Sequence, residues 1–598
     1  MKVPKEAIRI ANCSGFFGDR PSAAQEMVNG GPIDVLTGDW LAELTMLILS
    51  RIQNKNPQSG YARTFVDQMS DVMNDCLEKE IKVISNAGGL NPKACAEAVQ
   101  DIAQAQGLSP SIAYIDGDNL IGRLPELIHS DNLLPFIKGQ DLQNEETYIT
   151  ANAYLGCWGI VQALEDGADI IITGRVTDAA VVCGPAAWHH NWEKTDFDQL
   201  AGAVIAGHVI ECGTQATGGN YSFFNEIKDR NAIGSTARFG FPWADIAADG
   251  SCIIGKHEET GGIVNTETVI SQLLYEIGGP KYLGPDVTAR FDTVTVDNLE
   301  ENRVQITGAK GEPPPNTLKV AMNKNGGFKN SFSVALTGID IEDKAEFAQA
   351  TFWDACPTNP SDFDSVTSKI IRTDKSDPET QEEATAIWKL TVKDNDERKV
   401  GRAFSDSMIH TVLAGIPGMY AIGGGPTKAT PFGIYQPALI PADLVAQNVH
   451  ILDGETSIIA SETYETATLT VELEPTPVMP TGPSVEIPIG EIIGTRSGDK
   501  GGNANLGIYV RNDDSWSWLD NTMTIEQLRK LLPETQNFSI ERYRFPKIRA
   551  LNFVIHGLLE EGVAASTRQD PQAKALGEWL RAKVMPIPIS IRQAKKEK

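Results

Sequence analysis

Short apolar runs alternate with longer amphipathic stretches along residues 1–288 of the chain. The apolar runs predict strands at 7–12, 33–36, 81–85, 111–116 and 170–173, and the amphipathic stretches predict helices at 22–29, 40–52, 92–106 and 178–188. The β-branched run at 170–173 is typical of a strand that is buried on both faces. This alternation predicts an α/β fold, in which a mostly parallel sheet carries helices on both faces.

Polar residues and glycines follow the predicted strands. The carboxyl ends of the strands in such a sheet form the edge where ligands bind. Arg175 and Asp178 follow the strand at 170–173, and an alternative is that these two side chains only pair with each other across the turn. Thr177 or Asp178 is expected to cap the next helix. The residues predicted at the ligand-binding edge are Asp19, Arg20, Asp39, Asn86, Gly88, Gly89, Arg175, Thr177 and Asp178.

A second group of candidate residues follows the apolar run at 201–210. Its members are Glu211, Thr217, Gly218, Gly219 and Asn220. Paired glycines let backbone amides come close to an anionic group, although a tight turn would have the same sequence. Cys212 is a conceivable nucleophile that His208 would activate, but a cysteine after an apolar run is more often a small buried side chain.

The second half of the chain is predicted to be richer in strands. Residues 289–473 predict a mixed, strand-rich subdomain that continues the core at 1–288. Four prolines in the stretch Glu474 to Pro483 exclude a helix or a central strand, so 474–484 is predicted to be an extended linker. Residues 485–590 then predict a small C-terminal α+β domain.

One polar segment of the C-terminal domain, residues 495–505, is predicted to be a loop between strands at 487–494 and 506–510. Its Arg496, Asp499, Lys500 and Asn503 favour an anion or substrate clamp, and an exposed turn with a local Arg–Asp pair is equally compatible. We expect Arg496 and Lys500 to reach the ligand site of the first domain, with Asp499 orienting one of them.

Composition narrows the classes of function. The 598 residues are too many for one core and predict two or three domains. The formal net charge of -27 argues against nucleic acid and anionic membranes as partners. No apolar run is long enough to span a membrane and residues 1–10 lack the core of a signal peptide, so we expect a cytoplasmic protein. The eight cysteines are scattered without a C-x-x-C pair, so no metal site is predicted.

Several motifs resemble the acyclic terpene utilisation (AtuA-like) family. They are SGFFGD at 14–19, LTGD at 36–39, NAGG at 86–89, TGRVTD at 173–178, ECGTQATGGN at 211–220, TRSGDKGGNAN at 495–505 and ALNF at 550–553. The resemblance implies a core domain followed by a separate ferredoxin-like domain. It also implies a link to the breakdown of citronellol and geraniol, which runs through branched acyl-CoA intermediates. It identifies no cofactor.

Asp39, Asp178 and Glu211 are the predicted catalytic residues, because two carboxyl groups in one cleft can act as acid and base. We therefore expect a catabolic enzyme of the lyase or hydratase type. Its substrate would be a branched or terpenoid-derived carboxylic acid or the CoA thioester of that acid. A non-catalytic carrier or scaffold subunit of a catabolic assembly is the alternative. A homo-oligomer is expected in either case.

Overall fold

The structure, a computed structural model, describes residues 6–137, 142, 148–230, 238–423, 425–471 and 474–594. Up to residue 230, strands β1 to β7 span Ile8–Asn12, Val35–Gly38, Lys82–Ser85, Ile112–Asp116, Leu134–Pro135, Tyr148–Ala153 and Ile170–Thr173. Helices α1 to α9 span Ala23–Gly30, Glu43–Lys55, Arg63–Glu78, Pro92–Ala105, Leu124–His129, Trp158–Glu165, Ala180–His190, Phe197–Ile210 and Phe224–Arg230.

Strands dominate the described residues between 238 and 471. Strands β8 to β15 span Pro242–Ile246, Cys252–Lys256, Lys281–Leu283, Thr288–Arg290, Thr295–Glu300, Arg303–Thr307, Lys310–Glu312 and Thr317–Thr337. Strands β16 to β22 span Ser365–Ile371, Thr385–Asp394, Met419–Ile422, Thr430–Tyr435, Ala438–Pro441, Ala446–Ile451 and Thr456–Ala460. Helices α10 to α13 span Thr266–Leu273, Ile341–Ala355, Glu397–Val400 and Arg402–His410.

The C-terminal part, from residue 474 to 594, mixes strands and helices. Strands β23 to β28 span Ser484–Pro488, Gly494–Lys500, Asn503–Tyr509, Ile540–Phe545, Ala550–Ile555 and Val584–Pro588. Helices α14 to α17 span Asp513–Thr522, Ile525–Leu531, Leu576–Arg581 and Ile589–Ala594. Within the described residues, no helix is both long and apolar enough to cross a membrane.

Two compact units divide the chain. The first contains Met1–Asn323, Tyr435–Val563 and Gln572–Lys598, and the second contains Lys324–Ile434 and Ala564–Pro571. The central sheet and the C-terminal domain, apart from Ala564–Pro571, therefore belong to the first unit. The domain limits expected from the sequence remain predictions.

The central sheet has the strand order β12-β13-β9-β8-β1-β2-β3-β7-β4-β21-β22. Its middle strands β1, β2, β3, β7 and β4 are parallel, as the alternation predicts. The prediction of a mostly parallel sheet is wrong, because every pairing on both flanks is antiparallel. The flanking strands arrive largely as hairpins, and a short hairpin connection forces neighbouring strands to be antiparallel.

Local patterns give good accounts of the elements around the parallel strands. Strand β7 is buried throughout its length, as its β-branched sequence predicts. Asn91 caps α4, and its side chain accepts a hydrogen bond from Ala94 N at 3.3 Å. The predicted cap of α7 is wrong: Ala179 takes the cap position without a side-chain bond. Asp178 cannot serve there because it binds Arg175 instead.

Strand β15 is unusually long. In the first unit its residues Thr317–Val320 pair with β20. In the second unit its later residues pair with β17, which in turn pairs with β16. An aromatic core fills the second unit, where Phe332 packs against Phe352, Trp388 and Phe404.

The C-terminal domain is built on the antiparallel sheet β24-β25-β27-β26. The predicted loop at 495–505 is wrong, because these residues form the β24–β25 hairpin with Gly501 and Gly502 at its tip. Its polar residues Thr495, Arg496, Ser497 and Asn505 are buried and hydrogen-bonded, so hydropathy does not reveal the strands. Ser497 Oγ, for example, donates to Ala573 O and accepts from Gly577 N.

Candidate active site

The carboxyl ends of the parallel strands carry a connected set of polar side chains. Asn86, after β3, donates from Nδ2 to Asp39 Oδ1 at 2.5 Å, and its Oδ1 accepts from Trp40 N at 2.8 Å. Asp118, after β4, accepts at Oδ2 from Arg175 N at 2.9 Å. These bonds link the ends of β2 and β3 and the ends of β4 and β7, so the side chains are held by the sheet itself.

Arg175 is buried at the centre of this edge, with 2% of its surface exposed. Its Nη1 donates to Asp178 Oδ1 at 2.5 Å, and its guanidinium lies 4.2 Å from the centre of the Tyr154 ring. Burial opposes the charge, but Asp178, Tyr154 and Asp39 more than compensate and raise the pKa of Arg175. The Arg175–Asp178 pair is therefore real, and it lies beside Asp39 rather than apart from it.

Two carboxyl groups at the edge favour the neutral acid form. Burial first, and then the nearby charge of Asp178, raise the pKa of Asp39 and the pKa of Glu211 well above their ordinary values. Glu211 Oε1 lies 3.2 Å from His208 Nδ1. Glu211 Oε2 is buried and has no hydrogen-bond partner among the described residues. A buried carboxyl oxygen without a partner is unfavourable in a folded protein and is suited to binding a ligand.

His208 is a neutral aromatic neighbour of Glu211. Burial first, and then the Lys500 charge, lower the pKa of His208 to about 4. Its ring packs against Tyr282 and Phe291, with centroids 5.1 and 5.2 Å away. Burial also raises the pKa of the Cys212 thiol well above its ordinary value, and Glu211 raises it further. The thiol of Cys212 therefore stays protonated at neutral pH, which argues against a cysteine nucleophile.

Two lysines place positive charge near these carboxyl groups at the edge of the sheet. Lys500, at the end of β24 in the C-terminal domain, donates to Glu276 O at 2.7 Å and lies 5.4 Å from the Tyr282 ring centre. Lys319, in β15, lies 3.7 Å from Glu43 Oε1. Burial lowers the pKa of each lysine; Lys319 lowers that of Lys500 further, and Arg175 lowers that of Lys319.

We call this group of side chains the edge cluster. Its members are Asp39, Glu43, Tyr154, Arg175, Asp178, Glu211, Tyr282, Lys319, Tyr435 and Lys500. Asp178, Glu43 and Lys319 keep 27%, 31% and 27% of their side-chain surface accessible. These three charged side chains of the edge cluster are therefore only partly covered by protein.

Other residues predicted at the edge serve the local backbone. Asp19 closes its own turn, because Oδ2 accepts from Gly15 N at 2.9 Å. Arg20 binds Glu26 through both of its carboxylate oxygens and also donates to Phe239 O. A Cβ at Gly88 would lie 2.6 Å from Thr173 O, so this glycine permits close packing of the chain.

The predicted Thr-Gly-Gly-Asn group also forms a turn. Thr217 Oγ1 donates to Gly240 O at 2.7 Å. Gly218 and Asn220 have positive φ angles of 110° and 56°, and Gly89 near the sheet edge has one of 53°. Gly219 packs on the backbone at Thr214. Thr177 is half-buried and adjoins Asp178 of the edge cluster in the chain.

The polar side chains of the C-terminal hairpin differ in whether they reach the site. Arg496 hydrogen-bonds Gln215 of the core, and its guanidinium lies 3.8 Å from the Tyr275 ring centre. Asp499 contacts neither predicted cation: its nearest partner is Lys574 Nζ, 3.9 Å from Oδ1. Asn503 Oδ1 accepts from Gly557 N at 2.9 Å within the domain. Lys500 is thus the hairpin side chain that lies within the edge cluster.

Asn505 fastens the hairpin to the core, a role that the sequence did not suggest. Its Nδ2 donates to Leu274 O at 2.9 Å, and its Oδ1 accepts from Glu276 N at 2.8 Å. Because Glu276 O is also the acceptor for Lys500, these bonds fix the position of the lysine relative to the core.

Two surface grooves of the first unit lie away from the edge cluster. The larger, of about 990 Å³, is lined by Arg511, Glu226 and Glu267 among others, and the smaller, of about 490 Å³, adjoins Arg581 and Glu578. The arginine of each groove is already paired, with Arg511 Nη1 2.7 Å from Glu226 Oε1 and Arg581 Nη1 2.8 Å from Glu578 Oε1. We therefore regard the edge cluster, rather than either groove, as the candidate site.

Sequence reasoning missed five members of the edge cluster, namely Glu43, Tyr154, Tyr282, Lys319 and Tyr435. Lys319 stands between buried Leu318 and Val320, and this alternation places its side chain on the opposite face of β15. That alternation was a usable signal. Among the described residues, no group of three or more His, Cys, Asp or Glu side chains is arranged to hold a metal ion.

Comparison with protein families identifies the relatives of this chain. A family model described as acyclic terpene utilisation family protein AtuA matches residues 8–451. The chain belongs to the acyclic terpene utilisation family. A second model, the AtuA ferredoxin-like domain, matches residues 487–586. Comparison with curated proteins gave no match. The family matches confirm the resemblance inferred from the motifs and the ferredoxin-like nature of the C-terminal domain.

Proposed function

We propose that this family member is a catabolic enzyme with lyase or hydratase chemistry. Its substrate would be a branched or terpenoid-derived carboxylic acid or the CoA thioester of that acid. One observation carries the proposal: Asp39 and Glu211 are buried carboxyl groups whose pKa values burial raises, and both feel the charges of Arg175 and Asp178. Carboxyl groups with raised pKa values beside an ionised one are suited to divide the roles of acid and base.

The cations of the edge cluster suit an acid substrate. Hydration, dehydration and carbon–carbon cleavage next to a carbonyl all build negative charge on an oxygen atom, which a fixed cation stabilises. Lys500 makes its bond to a backbone carbonyl rather than to a carboxylate, so its charge is available to a substrate anion. We propose that Lys500 and Arg175 bind the carboxylate or thioester oxygen, and that Glu211 or Asp39 donates the proton.

Asp178 completes this assignment as the ionised partner. Its bond with Arg175 holds the guanidinium, and its charge is a cause of the raised pKa of both neighbouring carboxyl groups. In this scheme Asp178 is the base and Glu211 the acid, while Arg496 supports the site from outside through Gln215.

Screening a library of branched acids and acyl-CoA thioesters for thermal stabilisation, followed by turnover assays on the hits, tests the proposal. A ligand at about a hundred times its Kd adds roughly 2.7 kcal/mol of stability. Glu211→Gln and Asp39→Asn should keep binding and lose about 10²–10⁴-fold in kcat, the usual range for acid–base catalysis.

Asp286→Asn is the matched control for these variants. Asp286 is also a buried carboxyl whose pKa burial raises, to about 6, but it accepts from Cys157 N outside the edge cluster. Its amide variant should turn over substrate like the wild type. Binding without turnover in the wild type would instead favour a carrier subunit. Equal losses in all three variants would contradict the assignment of the site.

A further inference from the structure

Lys319 is the least committed cation of the edge cluster. Within the described residues its Nζ donates no hydrogen bond, and its ion-pair partner, Glu43 Oε1, lies 3.7 Å away. Arg175 and Lys500, in contrast, donate at 2.5 Å and 2.7 Å to Asp178 and to a backbone carbonyl. The amino group of Lys319 is therefore the one that can change its bonding without breaking a hydrogen bond to the protein.

Aromatic rings surround this amino group. The ring centres of Tyr154, Tyr435 and Phe136 lie 5.0, 5.4 and 5.6 Å from Lys319 Nζ. The backbone is fixed too, because Lys319 O accepts from Tyr154 N at 2.9 Å. A rigid strand thus presents an amine between aromatic walls, with 27% of the side-chain surface accessible to a ligand.

The surroundings also lower the pKa of this amino group. Lys319 shares Tyr154 with Arg175, whose guanidinium lies 4.2 Å from the ring centre. Burial and the Arg175 charge lower the pKa of Lys319, although Glu43 opposes them. Amines in desolvated sites next to another cation are the ones that react with carbonyl groups near neutral pH.

We propose that Lys319 is a catalytic nucleophile that forms an imine with the carbonyl group of an oxo-acid. The carboxylate of the oxo-acid would bind Arg175, which lies beside the same Tyr154 ring as Lys319. Glu43 would transfer protons, because its carboxylate is the acidic group beside the amine. This inference deepens the proposed function and rests on it for the acid class of the substrate.

The proposed step balances in atoms and charge. Glu43 takes one proton from the Lys319 ammonium. The freed lone pair attacks the carbonyl carbon to form a C–N bond, while the π bond of the carbonyl breaks and its electron pair moves to oxygen. A proton moves from nitrogen to the former carbonyl oxygen. Glu43 then returns its proton to that oxygen, which leaves as water while the C–O bond breaks. The product is a protonated imine, and Glu43 is again a carboxylate. The positive imine can then accept electrons from a neighbouring C–C or C–H bond.

Reductive trapping on the wild-type protein tests this assignment. Acetoacetate is added as the oxo-acid probe together with sodium cyanoborohydride, and proteolytic peptides are mapped by mass spectrometry. Lys319 should be alkylated faster than Lys93, because a lowered pKa leaves a larger fraction of the amine neutral. Lys93 is a suitable reference because 62% of its side chain is exposed. Acetone, which lacks the carboxylate, should label Lys319 more slowly than acetoacetate does.

Two variants complete the experiment. Lys319→Arg should remove the fast labelling and leave the labelling of surface lysines unchanged, and Lys93→Arg should keep the fast labelling. Labelling of Lys319 no faster than that of Lys93 would overturn the imine. Turnover of acids by a wild type whose Lys319 stays unlabelled would refute the imine and leave the proposed function standing. Fast labelling of Lys319 without turnover of any acid would support the imine and refute the proposed function.

Discussion

Two groups of buried charges in the first unit are organised in opposite ways. In the C-terminal domain, Asp520 accepts from Arg542 Nη2 at 2.8 Å and from Arg544 Nη2 at 2.6 Å, so both carboxylate oxygens are bonded. In the edge cluster, Glu211 Oε2 and Tyr435 Oη are buried without a hydrogen-bond partner among the described residues. A buried polar group whose hydrogen bonds are all made stabilises the fold, whereas a buried polar group that lacks a hydrogen-bond partner is suited to binding a ligand.

The carboxyl groups of the two places also differ in the charges of their neighbours. The carboxylate of Asp520 faces two arginines, whereas Asp39 and Glu211 face Asp178. Like charges at close range favour protonation of some of the group, which supplies an acid at neutral pH. Burial alone therefore does not identify an active site; the sign and the bonding of the neighbours do.

The largest effect on stability is expected at Asp520. Asp520→Ala leaves Arg542 and Arg544 in a buried place without their carboxylate, and losing one partner of a buried pair costs about 3–5 kcal/mol. Chemical denaturation of the variant and the wild type measures the difference in the free energy of unfolding. Ligand binding by the remaining folded protein should be unchanged. A loss below about 1 kcal/mol would show that the Asp520 group contributes little to the fold.

A smaller effect, which depends on pH, is expected at Asp499. Burial, with a contribution from Glu276, raises the pKa of Asp499 to about 7, while the unfolded chain titrates near 3.9. Between these values the folded protein binds more protons than the unfolded chain, so this residue reduces stability as the pH rises through the window.

Asp499→Asn removes that titration. The free energy of unfolding of the variant should rise relative to that of the wild type as the pH increases from about 4 to about 7. Above that range the difference between the two proteins should stay constant. Denaturation curves at several pH values measure it. His208 titrates in the opposite sense, but it is present in both proteins and cancels in the difference. A gap that does not change with pH would refute the raised pKa.

The smallest effect is expected at Thr217. Thr217→Val keeps the shape of the side chain and removes the bond from Oγ1 to Gly240 O, which should lower the free energy of unfolding by about 1 kcal/mol. Binding of any acid ligand should not change, because the hydroxyl points into the turn. A loss of ligand affinity with unchanged stability would show that Thr217 binds the ligand instead of stabilising the turn.

Elements with a strong local pattern could be predicted from the sequence. Strand β7 depends on its own β-branched residues, and it was predicted correctly. The flanks of the central sheet could not be predicted, because β21 pairs with β4 across more than 300 residues of chain. The β24–β25 hairpin was missed because its buried polar groups find partners in distant segments, such as Leu274 O for Asn505.

The candidate site was predictable to a similar extent. Asp39 and Arg175 follow strands and could be located from the alternation of strands and helices. Lys319 and Tyr282 come from later strands and carry no motif of their own, so only the tertiary structure brings them to the edge. The roles of Arg20 and Thr217 could not be predicted from the sequence, because a turn residue and a ligand-binding residue have the same sequence pattern.

The protonation of the edge carboxyls tests the central claim most directly, because it needs no substrate. Infrared difference spectra between wild type and Glu211→Gln, and between wild type and Asp39→Asn, isolate the carboxyl bands of these residues over a pH titration. We predict a protonated carboxyl band that persists above the pH range in which an ordinary carboxyl group ionises and is absent from the corresponding variant. Ionisation of both groups near pH 4, as in exposed carboxylates, would contradict the account of the edge cluster as an acid–base site.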